Sequence, residues 1–186
     1  MSVQILRRLF TVEDYHRMGE AGILSEDDRV ELLEGEIVQM TPIGSKHAGC
    51  VNRLAQLFFE KVARRAIVTV QNPGRLGEYS EPQPDLMLAR TRPDFYADAH
   101  PKPEEVLLVI EVSDTSADFD RKVKILLYAQ AGIPEVWLAD LPAECIEVYR
   151  KPSSHGYEEV NRFQRGETFS VQAFPDIELT VDQILG

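Results

Sequence analysis

The stretch "LLVIEVSDTS" (residues 107–116) decides the fold. It opens as a short apolar run of buried-strand length, yet one carboxylate, Glu111, is set inside it. Burying an unpartnered charge costs several kcal/mol, so Glu111 must meet something that its own strand does not supply. The next segment, "SADFDRKVKILLYAQAG" (116–132), has helical spacing, a cap at Thr115 or Ser116, and Gly132 as its stop. Its pattern predicts an inner stripe of Phe119, Val123, Leu126 and Leu127. A further strand pattern, "EVWLAD", comes after it, which gives a β-α-β unit.

Upstream, "PQPDLMLAR" (82–90) repeats the anomaly, because Asp85 stands at the mouth of an apolar strand. Two neighbouring strands that each offer one acid at the same depth bring two carboxylates together, and their repulsion must be relieved by positive charge. A divalent cation does this, and hard oxygen donors suit Mg²⁺ or Mn²⁺, with water and substrate phosphate filling the rest of the shell.

The remaining segments complete an α/β pattern. "TVEDYHRMGEAGILSEDDRVELLEGEIVQM" (11–40) predicts a helix capped by Thr11, ending near Gly19 or Gly22. A hairpin turning at Glu34-Gly35 follows, with Pro42 closing its second strand. "SKHAGCVNRLAQLFFEKVARR" (45–65) is the clearest helix, with Ser45 as N-cap and His47, Val51, Leu54, Ala55, Phe58 and Val62 on one stripe. "AIVTVQ", "RLGEYS" and "DLMLA" read as three short strands, and "CIEVYR", "YEEVNRF" and "TFSVQ" as later ones. The expectation is a single domain over residues 1–186, a mixed sheet covered by two main helices.

At 186 residues, 44% hydrophobic and 27% charged, the composition is that of an ordinary globular protein. No apolar run is long enough for a membrane span and the N-terminus lacks a secretory pattern, so the expected location is the cytoplasm. Cys50 and Cys145 lack CxxC spacing and are expected to be reduced, partly buried thiols. A net charge of −11 works against an undiscriminating nucleic-acid binder. Bound cations, or a face built from Arg7–Arg8, Arg64–Arg65, Arg90–Arg92 and Arg121–Lys122–Lys124, would have to offset it. The four histidines show no zinc-ligand spacing.

Pro84-Asp85, "IEVS" (110–113) and "DRKVKILLYAQAGIPEVWLAD" (120–140) resemble the Uma-type restriction endonuclease family of the PD-(D/E)XK phosphodiesterase superfamily. The likeness extends through "VELLEGEIVQMTP", "SKHAGCVNRL" and "IEVYR" and so covers most of the chain. It implies a restriction-endonuclease-like mixed β-sheet flanked by helices, preceded by an N-terminal helix and hairpin. Asp85 and Glu111 would hold Mg²⁺, with Glu31 completing the acidic cluster. Where the wider superfamily carries a lysine two residues after the glutamate, this chain has Ser113, and the resemblance transfers that role to Lys124 on the following helix. Asp120, Lys124 and Tyr128 share a helix face, which alone would read as a surface ion pair worth a few tenths of a kcal/mol.

His47, at a position where the family also tends to carry histidine, reads either as a satisfied side chain or as an outer group of the site. Gln83 could orient water or phosphate, and Glu36, Asp114 and Asp140 read as solvated or capping acids. The expected activity is Mg²⁺-dependent hydrolysis of phosphodiester bonds, with double-stranded DNA as substrate and a homodimer as the cutting unit. The alternative is a catalytically inactive nuclease-like protein that binds nucleic acid or a protein partner.

Overall fold

The computed structural model describes residues 7–25 and 27–186. Helix α1 (Val12–Glu20) starts from a capping box in which the Thr11 hydroxyl accepts from Asp14 N and the Asp14 carboxylate accepts from Thr11 N. The hairpin β1 (Val30–Leu33) and β2 (Glu36–Gln39) turns at Glu34 and Gly35, both with positive φ, as a tight two-residue loop requires. A Cβ on Gly35 would also meet the Leu9 side chain at 2.6 Å, so glycine is required there twice over.

Helix α2 (Ser45–Val62) follows. Its N-cap is Gly44, and Ser45 is the first helical residue, one place later than its side chain suggests. Six strands form the main sheet in the order β3-β4-β5-β6-β7-β8: β3 (Ile67–Val70), β4 (Leu86–Ala89), β5 (Val106–Ser113), β6 (Glu135–Asp140), β7 (Cys145–Ser153) and β8 (Gly156–Gln164). Only β5 and β6 are parallel, joined by the predicted crossover helix. That connection consists of α3 (Ala117–Phe119), a π-helical turn (Asp120–Lys124) and α4 (Ile125–Gln130). A separate hairpin of β9 (Thr168–Val171) and β10 (Phe174–Thr180) leads into α5 (Val181–Leu185).

Alternation along the strands divides the core between the sheet's two faces. Leu86, Leu88, Leu108, Ile110, Val112, Trp137 and Ala139 pack with α2, α5 and the β9–β10 hairpin. Met87, Val109, Val136 and Leu138 pack with Ile125, Tyr128 and Ile133. Trp137 is fully buried between Phe58 and Phe169, and its indole N–H donates to Glu135 Oε1 at 3.0 Å. Glu135 is fully buried as well, and Arg150 and the Gln172 N–H complete its hydrogen bonding.

Two sequence expectations are corrected. "RLGEYS" is not a strand: residues 75–80 run as an irregular segment ending in a single bridge between Leu32 and Glu81. The inner face of the crossover helix is also corrected in part: Leu127 is buried as expected, but Phe119 and Leu126 are exposed while Asp120, Lys124, Ile125 and Tyr128 are buried. A π-helical turn spans this stretch. Its wider i→i+5 pitch adds a residue to one turn and shifts the phase of the helix.

Both cysteines are free and buried, and burial pushes the Cys50 thiol up to about 12. A thiol-specific reagent at pH 8 should therefore label neither cysteine in the folded protein and both in denaturant. Glu147 is the opposite case. Burial acts to raise its pKa, but hydrogen bonds from Arg121 and Tyr149 outweigh this and hold it below the ordinary glutamate value. A depressed carboxyl contributes stability above its unfolded value and loses it as pH falls through the folded one. Glu147→Gln should cost about 1–2 kcal/mol at pH 7, and the gap between variant and wild type in urea melts should narrow as pH falls below the ordinary glutamate value and through the depressed one.

Candidate active site

Glu111 lies on the face of β5 that carries Val109, the side covered by α4. It is buried, and it meets the crossover helix directly: Tyr128 O–H donates to Oε1 at 2.6 Å and Lys124 Nζ donates to the same oxygen at 3.2 Å. The other oxygen, Oε2, takes no hydrogen bond among the described residues. The charge in the strand is therefore accounted for by a lysine thirteen residues on, at the end of the π-helical turn.

Asp85 immediately precedes β4. Leu86 pairs with Ile110, so the next rung of the antiparallel ladder sets Asp85 opposite Glu111, as the two strand patterns predict. Its Oδ2 accepts from the Val112 N–H at 2.9 Å and from His47 Nε2 at 3.0 Å, and Oδ1 accepts from Gln71 Nε2 at 3.2 Å. That hydrogen bond raises the pKa of His47 against the opposing effect of burial, while His47 Nδ1 is buried without a partner among the described residues.

Glu31 reaches the same place from β1. Its Oε2 accepts from the Gln83 N–H at 3.0 Å and lies 3.1 Å from Lys124 Nζ, so the ammonium bridges Glu31 and Glu111. Gln83 thus positions Glu31 through its backbone, and its side chain donates to the Gln71 carbonyl. Asp120 is buried beside them and accepts from Ser116 Oγ at 2.7 Å.

These groups line one cleft of about 430 Å³ that includes Arg29, Glu31, His47, Asp85, Glu111 and Lys124. Its acids outnumber its bases. Burial, with the charges of Asp85, Asp120 and Glu31 adding to it and Lys124 opposing, pushes Glu111 up to about 8. Lys124 is held above the ordinary lysine value by Glu111 and Glu31 despite its burial. The three predicted acids do not bring one oxygen each within 4.8 Å of the other two. Even so, the donor set of hard carboxylate oxygens fits Mg²⁺, which needs only one or two protein carboxylates, and a dication would offset the surplus of negative charge.

Other sequence candidates separate clearly. Asp114 lines the cleft. Glu36 is tied to Arg7 at the surface, and Asp140 is tied to Arg121 and caps the Ala143 N–H. Each of three basic clusters has a member neutralised where it stands: Arg65 by Asp176, Arg92 by Asp94 and Glu105, Arg121 by Asp140 and Glu147. Gln71 and the inward placement of Asp120 escaped the sequence reading. The recurrence of Asp120, Lys124 and Tyr128 at four-residue intervals was the available signal for the latter.

A family model, Uma2, described as "Putative restriction endonuclease", matches residues 12–182. The chain belongs to the Uma2 family. Its fold is that of a crystal structure titled as a "putative nuclease belonging to DUF820" from Anabaena variabilis, with a TM-score of 0.74. That alignment has 19% identity and covers 95% of this chain and 97% of the other, so the likeness carries the fold alone. No protein of curated function matches. All five sequence-predicted residues of this Uma2 chain, Glu31, His47, Asp85, Glu111 and Lys124, line the one cleft.

Proposed function

We propose that this Uma2 protein is a Mg²⁺-dependent endonuclease that hydrolyses phosphodiester bonds in double-stranded DNA. The observation that carries the proposal is the convergence of Asp85, Glu111, Glu31 and Lys124 in the cleft of a chain whose family is named for restriction endonucleases. Asp85 and Glu111 would hold the ion, with Glu31 beside them. The bound ion supplies Lewis acidity toward water and phosphate, and Mn²⁺ would substitute for it. Lys124 donates to the attacking water or to the phosphate, where a compact ammonium counters the developing charge. Tyr128 fixes Glu111, while His47 and Gln71 fix Asp85, so the acids are oriented before substrate arrives.

The ion also answers the charge problem. A protein of net charge −11 repels DNA at long range, and a dication in the cleft gives phosphate a local reason to enter. The reading includes a single nuclease-like domain acting in the cytoplasm, and a two-fold dimer so that both strands are cut. No described helix is long and apolar enough to cross a membrane.

Supercoiled plasmid incubated with the protein is expected to be nicked and then linearised in Mg²⁺ or Mn²⁺, and to stay intact in excess chelator. Binding of DNA that ignores the metal, with no cleavage under either ion, would favour the inactive nuclease-like protein instead.

A further inference from the structure

We propose that His16, Glu81 and His100 form a second metal site, for a transition-metal dication of the Zn²⁺ class, which pins α1 and the 91–105 segment against the hairpin that carries Glu31. One ligand atom from each of these residues lies within 4.8 Å of those of the other two. Glu81 is 4% exposed; its Oε1 is 2.7 Å from His16 Nε2, and its Oε2 is buried with no hydrogen-bond partner among the described residues. A buried carboxylate oxygen without a donor is costly, and a cation is the partner that this one lacks. The His100 ring stands edge-on to the His16 ring, with centroids 6.3 Å apart, and makes no hydrogen bond among the described residues.

Two imidazoles and one carboxylate form a nitrogen-rich donor set that favours Zn²⁺ and its first-row neighbours over Mg²⁺. Tetrahedral bonds of about 2.0–2.1 Å put ligand atoms about 3.3 Å apart, so closing the site needs shifts of no more than about 2 Å. His16 is half exposed, which leaves a fourth position open to water. The other three-ligand cluster among the described residues, Asp140, Cys145 and Glu147, differs in kind. Arg121 and Arg162 already neutralise it.

The ligands come from three separate segments. His16 lies on α1, while Glu81 donates its N–H to the Leu32 carbonyl, next to Glu31 on β1. His100 precedes Pro101, whose carbonyl accepts from the Arg75 N–H. An ion here would tie the excursion between β4 and β5 to the rear of the hairpin whose front faces the cleft.

The test uses the full chain, stripped with a chelator and titrated with Zn²⁺ alone, then with Co²⁺ as a spectroscopic stand-in. Wild type and Asp85→Ala are expected to bind one Zn²⁺ with a dissociation constant of about 1 µM or tighter and to give intense tetrahedral Co²⁺ bands. His16→Ala and His100→Gln should bind at least about a hundredfold more weakly and lose those bands, with circular dichroism confirming that the variants fold. Saturating Zn²⁺ should raise the melting midpoint of wild type by about 5 °C and leave that of His100→Gln unchanged. The proposal is overturned if wild type fails to bind Zn²⁺, or if His100→Gln binds within threefold of it. Binding that is abolished by Asp85→Ala or Cys145→Ser would equally overturn it, by placing the ion elsewhere. Because Asp85→Ala disables the cleft and spares this site, the two metal readings fail independently.

Discussion

Asp85→Asn is expected to reduce plasmid cleavage by about a thousandfold or more while leaving the fold intact. The substitution conserves shape and keeps an acceptor for the Val112 N–H, so the ladder between β4 and β5 is retained. It removes the negative charge that faces the cleft and the acceptor for one of the two side-chain donors, His47 and Gln71. The loss should appear in the rate at saturating Mg²⁺, with the urea midpoint of the metal-free protein moving little. Cleavage by Asp85→Asn within about tenfold of wild type would show that the chemistry happens without this acid.

Lys124→Met should be severe in a different way. Lys124 Nζ bridges Glu31 and Glu111 at 3.1 and 3.2 Å in a buried setting, so its removal leaves two carboxylates facing each other without a cation. Breaking a buried pair by deleting one partner costs about 3–5 kcal/mol, which for a chain of this size lowers the melting midpoint by roughly 6–20 °C. Millimolar Mg²⁺ should restore part of that loss, because a dication can take over the neutralising role, but it should not restore cleavage. A variant that melts with wild type in chelator would mean that the bridge carries no net stability. Lys124→Arg serves as the paired control: it keeps the charge and should recover stability, but not activity, since a planar guanidinium cannot reproduce a compact ammonium donor.

These two variants separate roles that a single inactive variant would merge. Asp85 is held by neutral or protonatable donors and can lose its charge at small cost to folding. Lys124 is tied into the interior, so the same residue serves the fold and, in the proposed mechanism, the reaction.

Much of this could be read from the chain itself. The alternating and apolar runs fixed β4, β5 and β6, and the three- and four-residue spacing of Val51, Leu54, Phe58 and Val62 fixed α2, because both periodicities are local consequences of backbone geometry. Two acids in successive apolar strands were enough to predict a shared site, since antiparallel pairing sets opposite residues side by side. Gly35 and Glu34 marked the turn by the backbone angles that it demands.

Other features exist only in the folded molecule. Nothing local announces the π-helical turn, and of the predicted stripe Leu127 is buried while Phe119 and Leu126 are exposed, because Glu31 and Glu111 hold Lys124 in the interior. "RLGEYS" alternates like a strand, yet it meets the edge of β1 only at the single Leu32–Glu81 bridge, and strand propensity without a continuous ladder does not make a strand. His16 and Glu81 are 65 residues apart, so their meeting has no spacing motif. Local periodicity determined the elements; long-range closure, driven by the need to give each buried charge a partner, decided which of their side chains face one another.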